Sequence, residues 1–168
     1  MILRDEIRIG RPAREVWNYI ENPEHMMSWN PKVRKVSPLS WSTERNLGFR
    51  YSIVYEMSGK ASELQAEFRE YLPPSRLVIR LHGGRLPREA YVEEIYDLSE
   101  DSAGTTLLTQ SIVMHNTGIN IFWRFIFFLI SRFGHPVGKK YLETLREIVE
   151  NKPGPEPDKE SEHKATFP

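Results

Sequence analysis

Few side chains in this 168-residue chain stand where acid–base chemistry could be done, and most of them fall in two stretches, Ala90 to Leu98 and Thr106 to His115. In the first, Val92, Glu94, Tyr96 and Leu98 share one parity; in the second, the more apolar parity is Leu108, Gln110, Ile112 and Met114. Read as strands, residues two apart share a face, so Glu94 and Gln110 point inward among apolar neighbours. A glutamate in such surroundings has its charged form disfavoured, its pKa rises, and it can serve as a general acid or base. A register slip of one residue turns Glu94 to solvent instead, and periodicity alone leaves that alternative open. Glu94, Tyr96 and His115 are therefore the candidate proton-moving groups, with a solvated or capping role as the ordinary alternative for a histidine at a strand end.

Other chemistries lack their residues. There is no cysteine, which removes disulfides, thiolate zinc sites and cysteine nucleophiles. The histidines, His25, His82, His115, His135 and His163, are not spaced with one another or with a ligand set, so no metal is expected. No phosphate loop, nucleophile elbow or dinucleotide fingerprint occurs, and no cofactor is expected. Lys and Arg total 23 and Asp and Glu total 23, so no global field favours nucleic acid, which is not expected as a partner. The N-terminus lacks the apolar core of a signal peptide, and the expected location is cytoplasmic.

The elements that must position these groups follow from the alternation. Ile2 to Ile9 reads as a first strand, Gly10 ends it, and Pro12 opens a short helix bearing Val16, Trp17 and Ile20 that stops at Asn22-Pro23. A second helical turn spans Glu24 to Trp29, and a strand runs Val33 to Trp41, with Pro38 marking an edge or a bulge. Phe49, Tyr51, Ile53, Tyr55 and Met57 alternate with Arg50, Ser52 and Glu56, and Leu64, Ala66 and Phe68 alternate with charged and polar residues after the turn Ser58-Gly59, so the two runs pair as a hairpin. Pro73-Pro74 interrupts, and Leu77, Ile79 and Leu81 resume before Gly83-Gly84. The two stretches that open this section, joined at Glu100 to Gly104, complete about seven strands.

From Phe122 the period changes. Phe122, Ile126, Leu129, Phe133, Val137, Tyr141, Leu145 and Ile148 follow a helical face almost to Glu150, with a kink or break at Gly134-His135-Pro136. Residues 1–150 thus read as one α+β domain, with the apolar helix face laid on the apolar face of an antiparallel sheet. Residues 151–168, rich in proline and charge, read as a disordered tail. Between Ile119 and Ile130 only Asn120 and Arg124 are polar, yet the stretch is short of the roughly 20 residues that cross a bilayer. If Phe122, Ile126 and Leu129 face the sheet, Trp123, Phe127 and Ile130 form a flank that loops, a membrane surface or a second subunit must cover.

The segment Arg11-Pro12-Ala13-Arg14-Glu15-Val16-Trp17, then Asn22-Pro23-Glu24-His25-Met26-Met27-Ser28-Trp29-Asn30-Pro31, resembles the START-like superfamily, also called Bet v 1-like or polyketide cyclase/dehydrase. Gly104-Thr105-Thr106 before the last strand is similar too, and the resemblance spans roughly residues 2 to 150. It implies a helix-grip fold: a curved antiparallel sheet, two short helices after the first strand, and a long C-terminal helix packed over a cavity. It implies a site for a hydrophobic small molecule or lipid, lined by Trp29, Phe49, Tyr51, Tyr55, Leu64, Phe68, Ile79, Tyr96, Gln110, Met114, Phe122 and Ile126. Plain core packing is the alternative for the aromatic strand residues. The implied function is carriage, sequestration or sensing of that ligand. The alternatives are a cyclase or dehydratase working in the same cavity, and a co-chaperone-like module presenting the Trp123 flank to another protein.

Overall fold

The computed structural model describes residues 2–39, 44–57, 60–116 and 139–151. Strand β1 (Ile2–Ile9) leads into helix α1 (Ala13–Ile20), a 3-10 turn (Pro23–His25) and a short helix α2 (Met26–Trp29). Strands β2 (Val33–Pro38), β3 (Arg50–Met57), β4 (Lys60–Leu72), β5 (Arg76–His82), β6 (Tyr91–Glu100) and β7 (Thr106–His115) follow, and helix α3 (Lys139–Asn151) closes the order. The strands form one open antiparallel sheet in the order β1-β7-β6-β5-β4-β3-β2. The expected helix-grip architecture is thus the observed one. Strand β2 ends at Pro38 rather than at Trp41, and the irregularity beside it lies between Val33 and Lys35. Pro38 itself closes an edge strand, where its missing N–H costs no ladder bond.

Inward parity is continuous across the sheet. Tyr51, Ile53 and Tyr55 on β3, Ala66 and Phe68 on β4, Leu77, Ile79 and Leu81 on β5, and Tyr96 and Leu98 on β6 are all buried. An irregularity between Phe68 and Glu70 shifts the parity of β4, so that Tyr71 also turns inward opposite Leu77. At this end of the sheet aromatic rings fill the space: Phe68 lies 5.4 Å from Phe49 and stacks on Tyr71 at 5.9 Å, while Trp17 of α1 meets Tyr71 edge-on at 5.5 Å. Such pairs stabilise beyond the area they bury. The polar ends are satisfied as well, because Glu21 accepts from Trp17 Nε1 at 2.8 Å and from the Tyr71 hydroxyl at 2.5 Å. Burial, and then the Glu21 carboxylate, push the Tyr71 phenol up to about 12.

Helix α3 buries Tyr141, Leu142, Leu145 and Val149, a spacing of one face. Its last turn is tied to β1, where Gly10 N donates to Glu150 Oε1 at 2.8 Å and Arg11 Nη2 donates to the Glu150 carbonyl at 2.9 Å. The expected earlier part of this helix, with Phe122, Ile126, the flank Trp123, Phe127 and Ile130, and the break at Gly134-His135-Pro136, lies outside the described residues, as does the tail beyond Asn151. No described helix is long and apolar enough to cross a membrane.

Candidate functional site

At the opposite end of the same inner face, between β3–β7 and α3, lies a cavity of about 480 Å³. Its wall is aliphatic, with Leu64, Leu81, Val92, Ile112 and Met114 from four strands and Leu86 and Pro87 from the loop after β5. The loop is held there by Gly84, whose φ is +59° and where a Cβ would come within 2.5 Å of Ser62 Oγ and 2.7 Å of the Glu63 carbonyl. Only glycine lets the loop backbone lie so close on β4.

Polar groups converge on one part of this wall. Tyr55, Glu94 and Tyr141 line it together with Asn30 and Lys32. The Tyr55 hydroxyl donates to Glu94 Oε1 at 3.1 Å and the Tyr96 hydroxyl donates to Glu94 Oε2 at 2.9 Å. Behind them, Gln110 Nε2 donates to the Tyr96 oxygen at 3.1 Å, and the Tyr141 hydroxyl donates to Gln110 Oε1 at 2.6 Å. Every bond in this chain points toward Glu94, which is 7% exposed. The strand pairing explains its centre: Tyr96 lies opposite Gln110, and Glu94 opposite Ile112, so one inward parity on β6 and β7 delivers Glu94, Tyr96 and Gln110 together.

Two effects compete on the Glu94 carboxyl. Burial disfavours its charge, while the two tyrosine hydroxyls and the Lys32 ammonium favour it; burial wins, and its pKa stands above the ordinary 4.5. Burial and then the Glu94 charge raise the Tyr55 and Tyr96 phenols well above their ordinary value, so both stay protonated as donors. Tyr141 moves the same way for the same two reasons. Half-buried Lys32 is pulled below 10.5 by burial, against the opposing attraction of Glu94. The arrangement can hold a neutral polar group of a ligand at Tyr55 and Glu94, and can exchange a proton with it.

Of the residues expected from the sequence, Tyr55, Leu64, Glu94 and Met114 stand on this wall, with Tyr96 and Gln110 directly behind it. Trp29, Phe49, Tyr51, Phe68 and Ile79 stand in the packed core instead: Phe49, Tyr51 and Phe68 belong to the ring cluster, and Trp29 of α2 packs on Tyr141 at 6.0 Å. Two of them are buried with a polar atom that has no hydrogen-bond partner among the described residues, the Trp29 indole nitrogen and the Tyr51 hydroxyl. His115 stands apart from this wall: its odd position on β7 puts it on the outer face, stacked on Tyr91 at 4.4 Å and 3.4 Å from Glu93 Oε2. Phe122 and Ile126 lie outside the described residues.

Sequence reasoning missed Asn30, Lys32, Lys60, Ser62, Tyr141 and the Arg85-Leu86-Pro87 loop. Loop residues carry no period, and only the Gly83-Gly84 pair hinted that this turn approaches another backbone. Tyr141 had a usable signal, a phenol within an otherwise apolar helical face.

A family model described as polyketide cyclase / dehydrase and lipid transport matches residues 2–148. Among solved structures, a START superfamily protein from Mycobacterium smegmatis is 11% identical, covers 89% of this chain and 97% of its own, and superposes with a TM-score of 0.67. A protein from Thermus thermophilus has the same coverage and TM-score at 17% identity. The di-domain ARO/CYC protein BexL, from a biosynthetic pathway, aligns over 91% of this chain and 51% of its own, with 16% identity and a TM-score of 0.63. At these identities the likeness is one of fold. No curated protein matches the chain.

Proposed function

The chain belongs to the polyketide cyclase/dehydrase and lipid-transport family, and on that premise we propose that it binds an apolar small molecule or lipid in the cavity beside Glu94. The observation that carries this reading is the contrast within one wall: about 480 Å³ bounded mainly by aliphatic side chains, with a few oriented hydrogen-bonding groups at one place. Small-molecule sites are built in this way, the apolar wall supplying affinity and the polar groups orientation. The protein acts in this reading as a carrier or sequestering protein.

An environment-sensitive apolar dye is expected to bind at one saturable site, and Val92→Trp, which fills the cavity, is expected to abolish that binding with the fold retained by circular dichroism. Native mass spectrometry of protein purified from its own host should show a retained apolar molecule. A folded wild type that binds no dye and retains no ligand refutes the reading.

A second reading is favoured by Glu94 alone. A carboxyl group on the wall of an apolar cavity, with its pKa raised by burial, is suited to move a proton on a bound carbonyl compound, as a cyclase or dehydratase requires. Tyr55 would orient the substrate oxygen; Tyr96 donates its hydroxyl to Glu94 and acts through it. Turnover of an aromatic polyketone that vanishes in Glu94→Gln, with a pH profile tracking the Glu94 titration, separates this from carriage.

A further inference from the structure

The cations of this chain are distributed unevenly between paired and unpaired. On the outer face of the sheet the strand arginines meet carboxylates: Arg34 pairs with Glu56, Arg69 with Glu67, Arg76 with Glu70 and Arg80 with Glu93. The three cations on the cavity wall, Lys32, Lys60 and Arg85, make no ion pair among the described residues. Among the described residues the one acid on that wall is Glu94, whose burial disfavours its charge while Lys32 attracts it. Among the described residues Lys60 and Arg85 thus stand on the cavity wall with no carboxylate paired to them.

Their positions give a direction. Lys60 opens β4 opposite the end of β3, and Arg85 sits in the loop just past the end of β5, so both lie at one end of the sheet, and both are exposed. Lys32 adjoins the same end, since its carbonyl accepts from Glu56 N at 2.8 Å, and its ammonium is 6.0 Å from the centre of the Tyr141 ring. Glu94, opposite Ile79, stands one inward-facing position deeper than Val92, which is opposite Leu81. From the deep end outward, then, come a carboxyl with its tyrosine hydroxyls and Lys32 within its field, the aliphatic pair Val92 and Leu81, and an exposed rim bearing Lys60 and Arg85. An anion placed deep would face Glu94; at the rim it meets Lys60 and Arg85 while still solvated, which costs little desolvation.

Resting on the reading that the cavity binds an apolar ligand, we propose that the ligand is an amphipathic acid: an apolar body whose carboxylate meets Lys60 and Arg85, and whose far end carries a hydroxyl or carbonyl that hydrogen-bonds at Tyr55 and Glu94. Electrostatic complementarity of this kind sets which ligand is chosen and in which orientation more than it sets raw affinity.

The probes are 16-hydroxyhexadecanoic acid, its methyl ester and hexadecanoic acid, each competing with the apolar dye at monomeric concentration and low salt. The hydroxy acid is expected to displace dye about fivefold to tenfold more strongly than the ester, the scale of a few partly solvated charge pairs. Added salt should shrink that ratio, and Lys60→Glu/Arg85→Glu, at two exposed positions, should bring it to one or below. Hexadecanoic acid should bind more weakly than the hydroxy acid, and Glu94→Leu should remove that difference. Equal binding of acid and ester by the wild type, or a ratio that survives the double variant, overturns the proposal. Dye binding with no displacement by any probe also overturns it and leaves the cavity reading standing, whereas absence of dye binding refutes that reading itself.

Discussion

Strands β3 and β4 carry one inward face from end to end, yet the two ends of that face behave differently. Where Phe49 lies opposite the end of β4 that bears Phe68, four rings from β3, β4 and the loop before β3 pack with Trp17 behind them. Where Tyr55 lies opposite Ser62, with Leu64 next along β4, the neighbours are aliphatic and a cavity remains. The burial of individual residues barely separates the two, since Tyr51 is 1% and Tyr55 9% exposed. The difference is one of volume per layer: rings and a covering helix fill the first end, and medium side chains leave the second hollow. The polar groups differ in the same sense. Glu21 at the packed end accepts from two donors that have their own core positions, whereas Glu94 collects a chain of donors around a space.

The largest test of this contrast is truncation at each end. Phe68→Ala should cost about 3–5 kcal/mol of unfolding free energy in urea titrations, the usual toll for an aromatic ring removed from a tight core. Leu64→Ala, on a wall that already borders empty space, should cost under about 2 kcal/mol, below the usual range for a buried leucine. Equal losses would mean the cavity end is as tightly packed as the other.

Protonation sharpens the contrast next. The folded-state pKa of Glu94 is raised above the ordinary 4.5, so between those two values the folded protein binds a proton that the unfolded chain has lost. Stability from this group is therefore fullest below pH 4.5 and falls as pH rises through the raised value. Glu94→Gln keeps the shape without the titration, so its stability relative to the wild type should climb between acidic and neutral pH, by about 1.4 kcal/mol for each unit of the shift. Melting curves of both proteins across that range check the sign; a flat difference would mean burial does not govern this carboxyl.

The smallest effect belongs to Tyr71→Phe at the packed end, which keeps the ring stack on Phe68 and removes one hydrogen bond to Glu21. About 1 kcal/mol is expected, with dye binding at the other end unaltered. A change in dye affinity there would show that the two ends are coupled.

Much of this architecture is written in periods and punctuation. The alternation of Tyr51, Ile53 and Tyr55, the break at Pro73-Pro74 and the helical spacing of Tyr141, Leu145 and Ile148 each specify an element locally, because side-chain direction follows backbone geometry. The inward direction of Glu94 was legible only as one of two registers. Pairing decided it, through Tyr96 opposite Gln110 and Glu94 opposite Ile112, since a strand's own alternation says which residues share a face and not which face meets the core.

The family resemblance implied a cavity, but which part of the inward face borders it was not legible, and Phe49, Phe68 and Tyr55 show why: all three are buried aromatic residues on one inward face, and only the last borders open space. Lys32, Lys60 and Arg85 come from a segment between helix and strand, a strand end and a loop, with no shared period to link them. The amino-acid sequence determined which faces are apolar and where the chain must turn, because those follow from each residue and its near neighbours. Tertiary structure alone decided where side-chain volume falls short of the enclosed space and which distant charges share a rim, because both depend on distances between segments that local propensity does not set.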